Sequence, residues 1–152
     1  MTTPASTYGA ILAGRDGVDV LVWQLGGDPL PERFVGHGAR AASAAFSADG
    51  STLATTAVDR TLITWDVSGS RRSGSVLTRD LVGHASTLWA AGSAYVVGRA
   101  GGGLEFVDPK TGAVSGLRGV NPHAGAEAIA TARSAPRSDR LIVADQDHTT
   151  IW

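Results

Sequence analysis

The side chains best suited to chemistry in this 152-residue chain are four histidines. His37, His84 and His123 recur once in each of three successive stretches of the chain. Ligands of one metal ion must converge on a single point, whereas residues repeated in this way fall in separate structural units. The spacing therefore favours structural roles over a shared metal site. His148 lies in a polar turn and is interpreted as exposed.

The other reactive residue types lack the partners that catalysis needs. No GxSxG motif is present, and serines such as Ser47 and Ser134 fall in turns without a positioned His–Asp pair. Glu105 and Glu127 are isolated, which gives no support to a paired-carboxylate hydrolase. The glycines at 101–103 precede neither a helix pattern nor a lysine, so they indicate a hairpin turn rather than a phosphate loop. We expect a non-enzymatic protein without a cofactor or metal.

The elements that hold these side chains are predicted from a regular repeat. Trp65 follows Trp23 by 42 residues. The next position at this spacing is Val107, again 42 residues on, and Trp152 follows Val107 by 45 residues. A period of about 40 residues is typical of stacked repeat units.

The unit that begins at Gly36 is the most regular. Short apolar and polar runs alternate in it, each bounded by a polar or glycine-containing break, which predicts β-strands. The expected strands cover residues 42–46, 53–57, 62–65 and 80–82.

This unit opens on Gly36-His37 and has a Trp65-Asp66 pair near its end, and in this it resembles the WD-repeat (WD40) family. The resemblance implies an all-β fold, a β-propeller built from four-stranded antiparallel sheets. We expect a partial propeller of about three and a half blades. The blades would cover approximately residues 8–35, 36–82, 83–120 and 121–152.

The same resemblance implies a hydrogen-bond network inside each blade, formed by Trp, Ser or Thr, His and Asp. By position, Trp65, His37 and Asp59 take three of these places. Ala57 stands where one common consensus serine falls, so we choose Thr55, four residues before Asp59, as the hydroxyl.

The first unit departs from the regular pattern at its N-terminal end. MTTPAST is short and polar, so we expect no strand before Tyr8. Asp16 lies one residue further from Trp23 than Asp59 does from Trp65, which predicts a bulge or a longer turn. The outer strand is expected at residues 33–35.

The third unit is eroded, and the fourth is short. Val107 replaces the tryptophan and no aspartate occupies the preceding turn, so His84 should bond to backbone or water. Residues 95–112 also resemble the repeats of quinoprotein-like propellers. In the fourth unit we expect a strand at Leu141–Ala144 and a hairpin turn at residues 137–139.

Arginines recur in the turns of this repeat. Arg15, Arg60 and Arg99 fall between the second and third strands of three successive units, and Arg40 follows Gly36-His37. In WD-repeat proteins these two classes of loop open on one face, the face most often used for partners. We predict that these arginines bind an acidic or phosphorylated protein segment. The alternative is that they simply keep the turns soluble.

Composition limits the other function classes. The net charge of −1 argues against a general nucleic-acid or membrane-surface binder. The absence of cysteine removes disulfides and thiolate metal sites and is consistent with a cytoplasmic protein. No signal-peptide pattern and no apolar run of about 20 residues is present.

The number of repeats bears on assembly and function. Closed propellers usually need about 4–8 blades, so we expect a segment of a longer propeller or self-association that completes the ring. The favoured function is a protein–protein interaction scaffold or sensor segment, in a style that resembles propellers of larger bacterial regulatory proteins. The alternatives are a quinoprotein-like or other propeller enzyme domain, and a fragment without function of its own.

Overall fold

The computed structural model shows an all-β protein. It describes residues 3–8, 11–68, 74–82, 84–91, 93–99, 103–116, 131–134, 141–144 and 149–151; for residues 3–8 and those beyond 116 the description covers the backbone. No helix occurs among these residues, and the all-β class predicted from the sequence is confirmed. Accordingly, none of the described segments is a helix long and apolar enough to cross a membrane.

Within the described ranges the chain forms four antiparallel sheets, and the strand order in each follows the sequence. The first sheet contains β1 (Thr3–Tyr8), β2 (Ile11–Asp16), β3 (Asp19–Gln24) and β4 (Glu32–Phe34). The second contains β5 (Ala41–Phe46), β6 (Thr52–Ala57), β7 (Leu62–Asp66) and β8 (Gly74–Thr78). The third contains β9 (Ala85–Ala91), β10 (Ala94–Arg99), β11 (Leu104–Val107) and β12 (Val114–Gly116). The fourth contains β13 (Thr131–Ser134), β14 (Leu141–Ala144) and β15 (Thr149–Ile151).

Two expectations for the first sheet are wrong. A strand does precede residue 9: β1 pairs with β2 from Thr3 to Tyr8, with one irregularity between Pro4 and Ser6. Backbone pairing needs no apolar side chains, so the polar composition of this segment did not reveal it. The β2–β3 turn has no bulge, because Asp16 pairs directly with Asp19. A two-residue turn of this kind needs a positive φ, and Gly17 adopts one, 63°, without steric strain.

The outer strands of the first two sheets agree only in part with those expected from the sequence. β4 lies one residue earlier than expected, but the outer strand of the second sheet is β8, not residues 80–82. In β8, Gly74 pairs with Trp65, where a side chain would collide with the indole. Leu81, in the middle of the expected strand, is instead a buried loop residue in the core between the second and third sheets.

The second sheet is buried on both faces. One apolar cluster joins it to the first sheet and includes Val20, Phe34, Leu53 and Trp65. The other joins it to the third sheet and includes Leu62 with Leu88, Val97 and Val107. Burial on both faces explains why five consecutive residues of β6 are buried rather than every second one.

Successive sheets also meet through their first strands. β1 contacts β5, β5 contacts β9, and β9 contacts β13. The first strand of each sheet therefore lies on one common side of the stack. The hydrogen bond from Leu88 N–H to Ser43 Oγ, at 3.0 Å, is one direct link between β9 and β5.

Candidate functional site

Two neighbouring strands of the second sheet place a threonine beside a tryptophan. Leu53 of β6 pairs with Trp65 of β7, so Thr55, two residues along, points to the same face as Trp65. The indole Nε1–H donates to Thr55 Oγ1 at 2.8 Å. Thr55 is completely buried and Trp65 is 3% exposed, so the indole N–H depends on this hydroxyl for its hydrogen bond.

His37 reaches the same hydroxyl from the loop that joins β4 to β5. Its Nε2 lies 2.8 Å from Thr55 Oγ1, and its ring meets the indole of Trp65 edge-on, with centroids 6.5 Å apart. The structure thus brings together three of the four residues proposed for the network from the sequence.

Asp59, the fourth residue proposed for the network, is connected to the other three through Thr61, which the sequence analysis did not identify. His37 Nδ1 lies 2.8 Å from Thr61 Oγ1, whose hydroxyl donates to Asp59 Oδ1 at 2.6 Å. The direct distance from Nδ1 to Asp59 Oδ1 is 3.9 Å. The spacing Asp-x-Thr was a usable signal, since Asp59 also accepts the Thr61 N–H in an Asx-type turn at 3.0 Å.

The contacts fix the direction of every hydrogen bond. Thr61 donates its only hydroxyl proton to Asp59, so it accepts from His37 Nδ1–H. Nε2 of the neutral ring then accepts the proton of Thr55 at 2.8 Å, a shorter contact than the 3.4 Å from Thr55 Oγ1 to the carbonyl oxygen of Ile63, and Thr55 itself accepts from Trp65. The result is a one-way chain of donors that runs from the indole to the carboxylate of Asp59.

The pKa shifts agree with a neutral histidine at the centre. Burial lowers the pKa of His37 below its ordinary value of 6.5, although Asp59 acts in the opposite direction. Burial raises the pKa of Asp59, but hydrogen bonds donated by Thr61 and Gly38 outweigh it, so that pKa lies below 3.8. Because both ring nitrogens and both hydroxyls are engaged, the cluster offers no free base, nucleophile or metal ligand.

Two glycines lie against the indole of Trp65. A Cβ at Gly36 would lie 2.9 Å from an indole carbon of Trp65, and one at Gly74 would lie within 3.0 Å of three indole carbons. Phe34 packs on the same ring system with centroids 5.1 Å apart. The benzenoid edge of the tryptophan therefore fits only because these two positions carry no side chain.

The third sheet lacks this network. Val107 stands at the tryptophan position, and His84 Nδ1 lies 3.0 Å from the carbonyl oxygen of Val58 in the preceding sheet. The backbone partner expected for His84 is confirmed. His123, His148 and Trp152, together with the hairpin turn expected at 137–139, lie outside the described residues. In the fourth unit the strand expected at Leu141–Ala144 is present.

The four arginines predicted for partner binding have different surroundings. Arg40 and Arg60 are exposed. Arg15 is half-buried, and its Nη1 donates to the carbonyl of Ala41 at 2.9 Å. Arg99 is half-buried and lines a cavity beside Glu105.

Arg15 lies near the end of β2 rather than in the turn after it, as was expected, while Arg40 and Arg60 lie in loops, and these three segments abut one another. Ala41 N–H donates to the carbonyl of Gly17 at 3.0 Å, which links the β2–β3 turn to the entry of β5. Val58 N–H donates to the carbonyl of Arg40 at 3.0 Å, which links that entry to the β6–β7 turn. These arginines therefore lie at one end of the stacked sheets.

Among the described residues, no three His, Asp or Glu side chains are grouped so that they could hold a metal ion. The acidic side chains near the turns mostly accept local hydrogen bonds instead. Ser47 and Ser51, for example, lower the pKa of Asp49 to about 2.

Comparison with known proteins supports the fold and nothing more specific. No family model matches the chain, and no curated protein matches it. Among solved structures, the chain is similar to the computationally designed Ika4 protein, with a TM-score of 0.72 and 18% sequence identity. The match covers 100% of this chain and 90% of Ika4. At this identity the similarity shows a shared fold.

Proposed function

We propose that this chain is a segment of a WD-repeat type β-propeller that serves as a non-enzymatic scaffold for binding another protein. Three observations support the propeller: sheets that follow one another in sequence order, contacts between their first strands, and apolar faces stacked sheet on sheet. The network of His37, Thr55 and Trp65 adds support, since the family resemblance implies His37 and Trp65 by position and Thr55 is the hydroxyl chosen from the sequence.

The binding surface in this proposal is the end of the stack where the β2–β3 turn, the β4–β5 loop and the β6–β7 turn meet. Backbone hydrogen bonds join these loops in series, and His84 extends the series to the loop before β9. Loops fixed in this way present side chains with little loss of freedom on binding, which favours affinity.

The observation that carries the proposal is the pair Arg40 and Arg60. Both side chains are exposed on adjacent loops, and in the described part of the structure neither takes part in an ion pair. Asp59, the acidic neighbour of Arg60, is already engaged by Thr61 and Gly38. The two guanidinium groups are therefore free to bind carboxylates or phosphates in a forked geometry.

The backbone of Arg60 adds a second reason. Its φ is 65°, the only positive φ at a non-glycine residue among those described. This left-handed conformation costs an arginine roughly 1–2 kcal/mol, and glycine would avoid the cost. An arginine at a position that suits glycine is consistent with a use for its side chain. The partner segment is thus expected to be acidic or phosphorylated.

The test is affinity purification with the tagged chain from an extract of its source cells, followed by mass spectrometry. The double variant Arg40→Glu/Arg60→Glu should lose the partner that the wild type retains. Lys110→Glu is the control, because Lys110 is also exposed but lies in the β11–β12 turn at the other end of the strands.

The purified partner should then bind the wild type more weakly as salt increases, because exposed charge pairs are screened. Undiminished capture by the double variant, or equal loss with Lys110→Glu, would contradict the proposed surface.

A further inference from the structure

His37 and His84 occupy the same position in successive units, each after a Val-Gly pair, yet their surroundings differ. His37 is 7% exposed, and hydroxyl groups bind both of its ring nitrogens. His84 is exposed, and its Nδ1 lies 3.0 Å from the carbonyl oxygen of Val58. Within the described structure the other nitrogen of His84, Nε2, makes no hydrogen bond, so this histidine has a free group at the surface.

The third sheet explains why His84 lies at the surface. Val97 stands where the second sheet has Thr55, and Val107 stands at the position of Trp65. Both valines are completely buried. Neither can bond to an imidazole, and a buried ring nitrogen without a partner is unfavourable. His84 therefore has no structural network to join, unlike the histidine of the second unit.

A single residue after β6, Val58, links His84 to the two arginines of the proposed binding surface. Its carbonyl oxygen accepts from His84 Nδ1–H, and its N–H donates to the carbonyl of Arg40 at 3.0 Å. Arg60 follows two residues later in the same turn, and all three cationic or imidazole side chains are exposed. The imidazole thus lies at the same end of the stack as the two guanidinium groups, on a third loop.

The bond to Val58 determines which nitrogen of His84 is free. A carbonyl oxygen only accepts hydrogen bonds, so Nδ1 carries the proton of the neutral ring and Nε2 is an unprotonated acceptor. When Nε2 takes up a proton from solvent, Nδ1 keeps its bond, and the positive charge strengthens that bond. His84 can therefore become a cation without a rearrangement of its loop.

The charged groups around His84 leave it without an ion pair. Those in the adjacent loops, in its own loop and on the third sheet are Arg40, Asp59, Arg60, Arg79, Asp80, Arg99 and Glu105. No ion pair found among the described residues includes His84. Asp59 and Glu105 each accept a backbone N–H instead. An anion from a partner therefore meets an imidazole that is not already paired with a described acid.

We propose that His84 is the third cationic group of the surface formed by Arg40 and Arg60, and that Nε2 becomes protonated when an anionic segment of the partner binds. The inference rests on the proposed function and adds a linked proton to it. A carboxylate or phosphate beside the ring favours the protonated form, and Nε2–H then donates to that anion. Binding takes up a proton from the buffer, so it strengthens as pH falls from about 8 to about 6.

Two peptides serve as probes: N-acetylated hexaglutamate, and the same peptide with phosphoserine in place of one glutamate. Nitrogen-15 NMR of the full chain at about pH 7 and low salt should show Nε2 of His84 shift toward its protonated form as peptide is added. The nitrogens of His37, buried and bonded on both sides, are the internal control and should not shift. The peptide that binds more tightly identifies the preferred anion as a carboxylate or a phosphate.

The two ways of failing are distinguishable. If the backbone amides of Arg40 and Arg60 respond to peptide while His84 does not, the linked proton is refuted and the arginine surface stands. If neither peptide binds at up to about 5 mM, both this inference and the proposed surface are contradicted.

The variant His84→Asn keeps an N–H for the carbonyl of Val58 and removes the nitrogen that takes up the proton. The wild type should bind hexaglutamate about two- to fivefold more tightly at about pH 6 than at about pH 8, because an exposed charge pair contributes modestly. His84→Asn should lose this pH dependence, since the glutamates stay ionised throughout.

Lys110→Ala removes one positive charge at the other end of the strands and should keep the pH dependence of the wild type. Circular dichroism identifies any variant that fails to fold, and the NMR titration of the wild type then decides alone. A folded His84→Asn variant that still binds more tightly at the lower pH, to the same extent as the wild type, would overturn the assignment to His84.

Discussion

Replacing Thr55 with valine removes one hydroxyl from the interior of the second sheet and leaves the side-chain shape almost unchanged. The hydroxyl accepts from Trp65 Nε1 and lies 2.8 Å from His37 Nε2. Valine offers neither group a partner, and since all three residues are buried, water does not replace it. The substitution therefore isolates the polar contribution of the network.

The expected loss of stability follows from these two contacts. Each buried group left without a partner costs about 1–3 kcal/mol, and the two costs are coupled because they share one hydroxyl. The added methyl group is buried and offsets part of the loss, by up to about 1 kcal/mol. We expect Thr55→Val to lower the free energy of unfolding by about 2–4 kcal/mol.

Thr56 provides a control on the same strand. It is also completely buried, but its Oγ1 has no hydrogen-bond partner within the described structure. Thr56→Val removes a buried hydroxyl that contributes no bond, so it should leave stability unchanged or raise it by about 1 kcal/mol.

Urea unfolding followed by circular dichroism measures both variants. With a slope of about 1–3 kcal/mol per molar urea, Thr55→Val should move the midpoint down by on the order of 1–2 M. The Thr56→Val midpoint should stay level or rise. Equal midpoints for the two variants would show that the hydrogen bonds of Thr55 do not stabilise the fold.

Two further predictions concern the same cluster. Because burial lowers the pKa of His37, the unfolded chain takes up a proton near pH 6.5 while the folded chain does not. The contribution of His37 to stability is therefore complete above pH 6.5 and is lost as pH falls toward the pKa of His37 in the folded chain. NMR titration should find that folded-state pKa below 6.5, with the proton of the neutral ring on Nδ1. A folded-state pKa above 6.5 would contradict this prediction. Gly74→Ala should destabilise the fold by about 1–3 kcal/mol through collision with Trp65. Gly116→Ala on β12, where a Cβ meets nothing within 4 Å, should have little effect in the same urea assay, and similar losses for both would rule out the collision.

Strand limits and side-chain contacts could be predicted from the sequence where the apolar pattern and the spacing of turn residues indicate the same strands. β6 and β7 lie within one residue of their expected limits, because the apolar residues of the second unit are bounded by clear turns. The contact between Trp65 and Thr55 followed from the choice of Thr55 over Ala57, and the structure places Thr55 at the centre of the cluster. Thr61 was missed because only one hydroxyl, that of Thr55, was assigned to the network.

Other features depend on pairing between distant segments. β1 is polar and was not expected, yet its backbone pairs with β2 without help from apolar side chains. β8 begins in a glycine- and serine-containing stretch, whereas the outer strand was expected at residues 80–82, and Gly74 is required there by an indole nine residues earlier. Glu105 appeared isolated in sequence. Its significance arises only when β11 comes to face the loop that contains Val82.

The two glycines against Trp65 constrain the order in which such a unit can change. While the indole is present, any side chain at position 36 or 74 meets its ring carbons. Substitution of either glycine therefore lowers stability while the tryptophan is present, and it loses this cost once the tryptophan has been replaced by a smaller residue. Position 114, the counterpart of 74, carries valine opposite Val107, where no indole occupies the space.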